Sequence, residues 1–341
     1  MPINPSLRQS NGREAAFPDG PRGLLKEGKQ RGYPLGYLLS RIRGRRSRLI
    51  RDWRSLVYNA TPIEFLASTQ YQGFVRERSA EGMWRALLRE YGWVFGQMEE
   101  EVRRVFAPYI LYTELRTVFI CLRYLHGDKT QKAGEILGES LLADSIKNIL
   151  RDGETSVAVE KLERQLCRLS PEFAGLAAKY EEKGLRELEQ HLTNSYLIAI
   201  IRTPLHPVMK EFFSRIIDAR NILSLYKSLR LNVADHAVFI PGGTIPIGQL
   251  KDLLDKDDIF AVITLIRQAS GITVTAPDPT QVEVSLYRGI TKYLQKEGRD
   301  PLGAALILEY LWRCSLEVMN LSLLLAGKDL EREEIAAELV H

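Results

Sequence analysis

Cysteine is scarce: Cys121, Cys167 and Cys314 stand far apart, so neither a CxxC metal knuckle nor a disulfide framework can be drawn. A reduced, cytosolic setting with buried structural thiols follows. The five histidines, at 126, 191, 206, 236 and 341, have no partners at ligand spacing, so no metal site is expected. A GxSxG nucleophile motif is missing, and no histidine lies near a cysteine in sequence except His126 after Cys121. Charge of one sign is lacking too. Lys plus Arg is 47 against 43 Asp plus Glu, and +4 over 341 residues does not by itself mark a nucleic-acid or membrane-surface protein. No charged segment leading into an apolar run opens the chain, so no export signal is expected. Alternating strand patterns are nearly absent; Ile272-Thr273-Val274-Thr275 is the one candidate, too short to build a sheet without a partner.

What is present is a globular composition, 45% hydrophobic and 26% charged. Residues 1–33 carry scattered Pro, Gly and charge without periodicity and read as a flexible arm. The arm contains Gly23-Leu24-Leu25-Lys26-Glu27-Gly28-Lys29-Gln30, which matches GxxxxGK. Gln30 stands where a hydroxyl should bind magnesium and no strand precedes it, so the match reads as chance and no cofactor is expected. From Leu35 the pattern is helical, with Leu35, Leu38, Leu39, Ile42, Leu49, Trp53 and Leu56 on one face. The same periodicity returns over 84–106, 109–125, 135–150, 156–168, 172–202, 208–230, 247–269, 282–297 and 301–326, with breaks at Pro108, Gly127, Gly153, Pro204, Pro207, Pro241-Gly242-Gly243, Gly271, Pro277 and Pro279. An all-α protein is predicted. Leu302 to Ala326 is long enough to span a bilayer, but Glu309, Arg313 and Glu317 recur along one stripe at its middle, as in a buried helix whose charges pair.

Three helical segments share an acidic residue, two further positions, then Asn or Thr and an aliphatic residue. They are Glu114-Leu115-Arg116-Thr117-Val118, Asp218-Ala219-Arg220-Asn221-Ile222 and Glu317-Val318-Met319-Asn320-Leu321, with first residues 104 and then 99 apart. That period predicts three related modules, 34–127, 128–231 and 232–341, with intertwined and approximate boundaries. Gly127, Asn232 and Gly327 follow the three helices, where left-handed caps are expected. Pro241-Gly242-Gly243 has the residues of a type II turn rather than of a phosphate cradle.

The opposite face of the first helix is basic: Arg41, Arg43, Arg45, Arg46, Arg48, Arg51 and Arg54 face only Asp52. Arg41, Arg45 and Arg48 fall on one stripe and form a candidate interaction face. Such a cluster can grip a phosphate backbone, an acidic protein partner, or acidic helices of its own chain. Aromatic residues are not interleaved to stack bases, which weakens the nucleic-acid alternative.

At these repeats the chain resembles the C subunit of archaeal and bacterial V-type (A-type) ATPases, the counterpart of subunit d in vacuolar enzymes. The resemblance lies in Tyr37-Leu38-Leu39-Ser40-Arg41-Ile42-Arg43-Gly44, in Ser68-Thr69-Gln70-Tyr71, in Asp218-Ala219-Arg220-Asn221-Ile222-Leu223 followed by Phe239-Ile240-Pro241-Gly242-Gly243, and in the closing helix through Glu317-Val318-Met319-Asn320-Leu321 to Ala326-Gly327-Lys328. Glu114-Leu115-Arg116-Thr117 departs from the family's Asn-Leu-Lys, as in a diverged member. The resemblance implies a funnel-shaped protein of three helical modules without a catalytic site. It implies a central-stalk role between the D/F-type shaft subunits and the membrane proteolipid ring, peripheral to the membrane on its cytosolic face.

Overall fold

In the computed structural model the described residues are 20–26, 32–59, 80–151, 153–231, 238–273, 278–327 and 331–340. Among them lie α1 (Leu35–Arg46), α2 (Trp53–Asn59), α3 (Ala80–Gly96), α4 (Glu100–His126), α5 (Thr130–Glu139), α6 (Asp144–Arg151), α7 (Thr155–Cys167), α8 (Leu176–Ile201), α9 (Pro207–Arg230), α10 (Ile247–Asp255), α11 (Ile259–Ser270), α12 (Pro279–Glu297), α13 (Ala305–Ala326) and α14 (Arg332–Glu338). The described residues hold no strand, only two isolated bridges, so the protein is all-α as the periodicity indicates. Ser68-Thr69-Gln70-Tyr71, His236, His341, Asn232 and the second half of the candidate strand at 272–275 lie outside the described residues.

Helix ends follow local chemistry. Asp258 and Asp278 cap α11 and α12 by accepting from the N–H groups of Ala261 and Gln281, and Pro279 fills a first-turn position where no N–H is needed. The start of α8 is capped from a neighbouring helix, because Glu163 of α7 accepts from the N–H groups of Gly175 and Ala177. Gly271 closes α11 in the left-handed conformation. Gly127 and Gly327 do not adopt it, contrary to expectation; their φ angles are −101° and −86°, and after α4 the positive φ falls on Asp128 instead.

Two helix boundaries also differ from the sequence pattern. Pro108 does not end a helix: α4 runs through it, and Tyr196 of α8 donates its hydroxyl to the Pro108 carbonyl at 2.6 Å. The break falls at 97–99, where Tyr33 N–H donates to the Gln97 carbonyl and Met98 bridges Tyr33. Gly32 is required there, since its φ is +86° and a Cβ would stand 2.4 Å from the Met98 carbonyl oxygen.

The chain divides into two compact units, one of residues 1–33 and 91–213, the other of 34–90 and 214–341. In the first, Tyr91, Tyr109, Tyr112, Tyr196, Phe212 and Phe213 form a continuous aromatic cluster with neighbouring ring centres 5.3–6.4 Å apart. Part of the expected flexible arm is docked in this unit: Leu24 and Leu25 are buried, and residues 24–26 pair with 141–143. The core of the second unit is α13, whose Trp312 indole donates to Thr291 and packs edge-on against Tyr287 of α12. Among the described residues, the helix with the length and composition of a membrane span is α4 rather than α13; 61% of its apolar stretch is buried, as in a core helix.

Tyr196→Phe removes the donor to the Pro108 carbonyl while keeping the ring. Leaving that buried carbonyl unpaired is expected to lower unfolding stability by about 1–3 kcal/mol, measured by urea denaturation against wild type.

Candidate interaction site

The acidic and amide residues of the shared pattern all bind backbone. On α9, Asp218 accepts from the N–H and hydroxyl of Thr244 and from the N–H of Ile245 at 3.1 Å. One turn on, Asn221 clamps both sides of Ile240, donating to its carbonyl and accepting from its N–H, each at 2.8 Å. Between these two anchors the chain reverses at Pro241-Gly242, with φ of +100° at Gly242 as a type II turn requires. Gly243 lies so close that a Cβ would meet an Asp218 carboxylate oxygen at 2.1 Å. The N–H groups of Thr244 and Ile245, which follow the turn, are thus bound to a carboxylate.

The same device recurs on α4. Glu114 accepts from the Ser140 hydroxyl at 2.9 Å and the Leu141 N–H at 2.6 Å, 26 and 27 residues onward, the same offsets that separate Asp218 from Thr244 and Ile245. Thr117 hydrogen-bonds Glu114 itself. Burial pushes the Glu114 carboxyl above its usual range, against the pull of these hydrogen bonds and of Lys147. On α13, Asn320 clamps the N–H and carbonyl of Val340, as Asn221 clamps Ile240. Glu317 takes its backbone donor elsewhere, from the N–H of Ile50 at 2.5 Å.

That last bond ends the first helix. The spacing predicts one helix over 35–56 bearing seven arginines, but α1 stops at Arg46 and α2 starts at Trp53. The Ile50 N–H goes to Glu317 instead of the Arg46 carbonyl, and Leu49 and Ile50 turn inward and are buried. The arginines accordingly separate. Arg45 grips Glu90 through two of its nitrogens, and the same carboxylate receives the Tyr310 hydroxyl; Arg46 pairs with the fully buried Glu309 at 3.1 Å, and Arg43 donates to the Pro301 carbonyl. Arg41 is exposed beside the Tyr37 ring, and Arg48, Arg51 and Arg54 are exposed. Of the expected stripe, Arg41 and Arg48 therefore face solvent, Arg45 faces Glu90, and Arg48 lies beyond the helix.

Burial pushes the Glu309 carboxyl upward and Arg46 and Arg313 pull it back. The sequence points to Arg313 as its partner; Arg46 is the addition. Elsewhere, His126 is exposed, His191 and His206 are half-buried, and no group of three His, Cys, Asp or Glu among the described residues is arranged to hold a metal ion. Burial pushes the Cys121 thiol up to about 12, so it stays protonated at neutral pH. Glu90, Ile50 and Val340 carry no sequence signal. Ser140 and Thr244 do, as hydroxyl residues at one offset from Glu114 and Asp218.

With this geometry in view, residues 38–338 match the family described as ATP synthase (C/AC39) subunit. The chain belongs to that family, which makes it a structural subunit of a V/A-type ATP synthase, peripheral in that complex. No curated protein matches it.

Asn221→Ala and Asn320→Ala should behave alike. Each strands a buried N–H and carbonyl, with an expected loss of about 2–4 kcal/mol in chemical denaturation. Indistinguishable stability of either variant from wild type would refute the clamp.

Proposed function

We propose that the chain is a non-catalytic coupling subunit of a rotary V-type ATPase or ATP synthase. It links the central shaft of D/F-type subunits to the membrane proteolipid ring, from the cytosolic face, during ion transport. Family membership across residues 38–338 is the observation that carries this proposal. The fate of the polar residues agrees with it: Glu114, Asp218, Asn221, Glu317 and Asn320 are committed to backbone and offer a substrate nothing. The chain is further proposed to consist of three repeated modules, 34–127, 128–231 and 232–341. The equal offsets from Glu114 and Asp218, and the paired clamps of Asn221 and Asn320, support such a repeat.

The second possibility is binding of nucleic acid or another anionic partner through the basic surface, and exposure of Arg41, Arg48, Arg51 and Arg54 favours it. Paired replacement of Arg41 and Arg48 by Glu tests this surface without disturbing the Arg45 pair with Glu90. In the coupling role, wild-type protein captures the shaft heterodimer or a detergent-solubilised proteolipid ring at 1:1 stoichiometry in the absence of nucleic acid. In the other role, DNA or RNA binding falls steeply with salt, and the slope flattens by about one unit for each arginine–phosphate pair removed. Tight binding of nucleic acid near physiological salt, with capture of neither rotary component, overturns the coupling assignment.

Arg45→Ala serves as the contrast. It leaves the half-buried Glu90 without its cation and is expected to lower stability by about 1–3 kcal/mol in denaturant melts, an effect absent from Arg48→Ala.

A further inference from the structure

Residues of α12, α13, the loop after α1 and Val340 enclose a cavity of about 180 Å³, within the unit of residues 34–90 and 214–341. Two contacts already described build its walls. The Glu317 carboxylate holds the Ile50 N–H, which brings the loop after α1 against α13, and the Asn320 clamp brings Val340 to the same place. The cavity is therefore in place without a ligand.

Its lining divides into two kinds. Leu49, Trp53 and Leu316 are buried and supply apolar surface. Among the polar residues, Glu317 and Asn320 are committed to backbone, and Thr291 accepts the Trp312 indole N–H and donates to the Tyr287 carbonyl. Arg51, Gln295 and Arg313 remain. Arg51 and Gln295 are exposed and have no side-chain partner among the described residues. The half-buried Arg313 reaches Glu309 through one nitrogen at 3.5 Å, and that carboxylate lies nearer Arg46, at 3.1 Å. A guanidinium carries five N–H donors, so most of those on Arg313 are left for another acceptor. Arg46, Arg51 and Arg313 stand against Glu309 and Glu317, so cations outnumber carboxylates at and behind the cavity.

We propose that this cavity binds a small organic monocarboxylate, its oxygens gripped by Arg313 and Arg51 and its hydrocarbon body set against Trp53, Leu49 and Leu316. The planar guanidinium fork meets a carboxylate in two parallel hydrogen bonds. The apolar lining calls for a hydrocarbon body, which inorganic phosphate lacks. Size sets the upper limit. An apolar cavity of about 150 Å³ takes up benzene, so this one holds a body of that order and excludes a nucleotide. Bound there, the carboxylate would tie the loop that carries Arg51 to α13, where Glu317 already holds Ile50.

Benzoate is the probe, titrated calorimetrically into the full-length chain beside benzyl alcohol, its neutral counterpart, and inorganic phosphate, an anion without a body. With about nine non-hydrogen atoms, benzoate is expected to bind 1:1 with a Kd of about 0.1–1 mM. Benzyl alcohol and phosphate should each bind at least about tenfold more weakly. Arg313→Met should weaken benzoate binding about tenfold or more, and Arg51→Met about three- to tenfold. Arg41→Met, at an exposed arginine that does not line the cavity, should leave it unchanged. No saturable benzoate binding by about 10 mM overturns the site, as does unchanged affinity in Arg313→Met or an equal loss in Arg41→Met. Benzyl alcohol or phosphate binding as tightly as benzoate overturns the ligand class. Should Arg313→Met fail to fold, unchanged affinity in Arg51→Met, which removes no contact of the fold, overturns the proposal alone.

Discussion

A carboxylate withdrawn from water must find donors, and the nearest polar groups in a helical core are already bound within their own helices. Glu114 and Asp218 solve this by accepting backbone N–H groups of loops that have no helical partners to satisfy them. The loop gains partners it would otherwise lack, and the acid gains donors, so neither can be moved without stranding the other. Much of the local architecture follows. Gly243 must lack a side chain because Asp218 reaches in, the Ile240 backbone must be clamped by Asn221 for the turn to begin in register, and the loop at 140–143 becomes a platform on which the arm can dock.

Most helices are legible in the sequence because apolar spacing reports which face is buried, whatever it is buried against. The acidic and amide positions are legible as a pattern, and the Pro-Gly turn as a turn, because both are local. What sequence does not supply is the partner. Pro108 reads as a breaker until the hydroxyl of Tyr196 is set against its carbonyl. Arg46 and Trp53 read as one helix until the Ile50 N–H is claimed by Glu317. Residues 20–26 of the arm read as flexible because two leucines carry no periodicity, although both find a core. In each case a distant group outweighs local propensity.

The arginines show the same principle applied to charge. Arg45, Arg46 and Arg48 lie within four residues, yet Arg45 meets Glu90, Arg46 meets Glu309, and Arg48 meets solvent. Glu309 is wholly buried between Arg46 and Arg313, with one carboxylate oxygen lacking a hydrogen-bond partner. An arrangement of that kind is weak evidence for stability, because desolvation offsets much of the attraction. Removing one cation leaves the carboxylate to the other, and only the loss of both leaves it uncompensated.

In the coupling role proposed above, the useful property is stiffness rather than reactivity. Loops are ordinarily the softest parts of a helical protein, because their backbone groups bond to water and exchange partners freely. Here the loop at 240–245 is held at one end by two amide hydrogen bonds and at the other by a carboxylate, and Val340 is held to α13 by an amide in the same way. Such a loop is tied at both ends to the helix that carries Asn221 and Asp218. Catalytic residues need room to approach a substrate, whereas these need the absence of room, and the close approach of Gly243 to Asp218 belongs to the second kind.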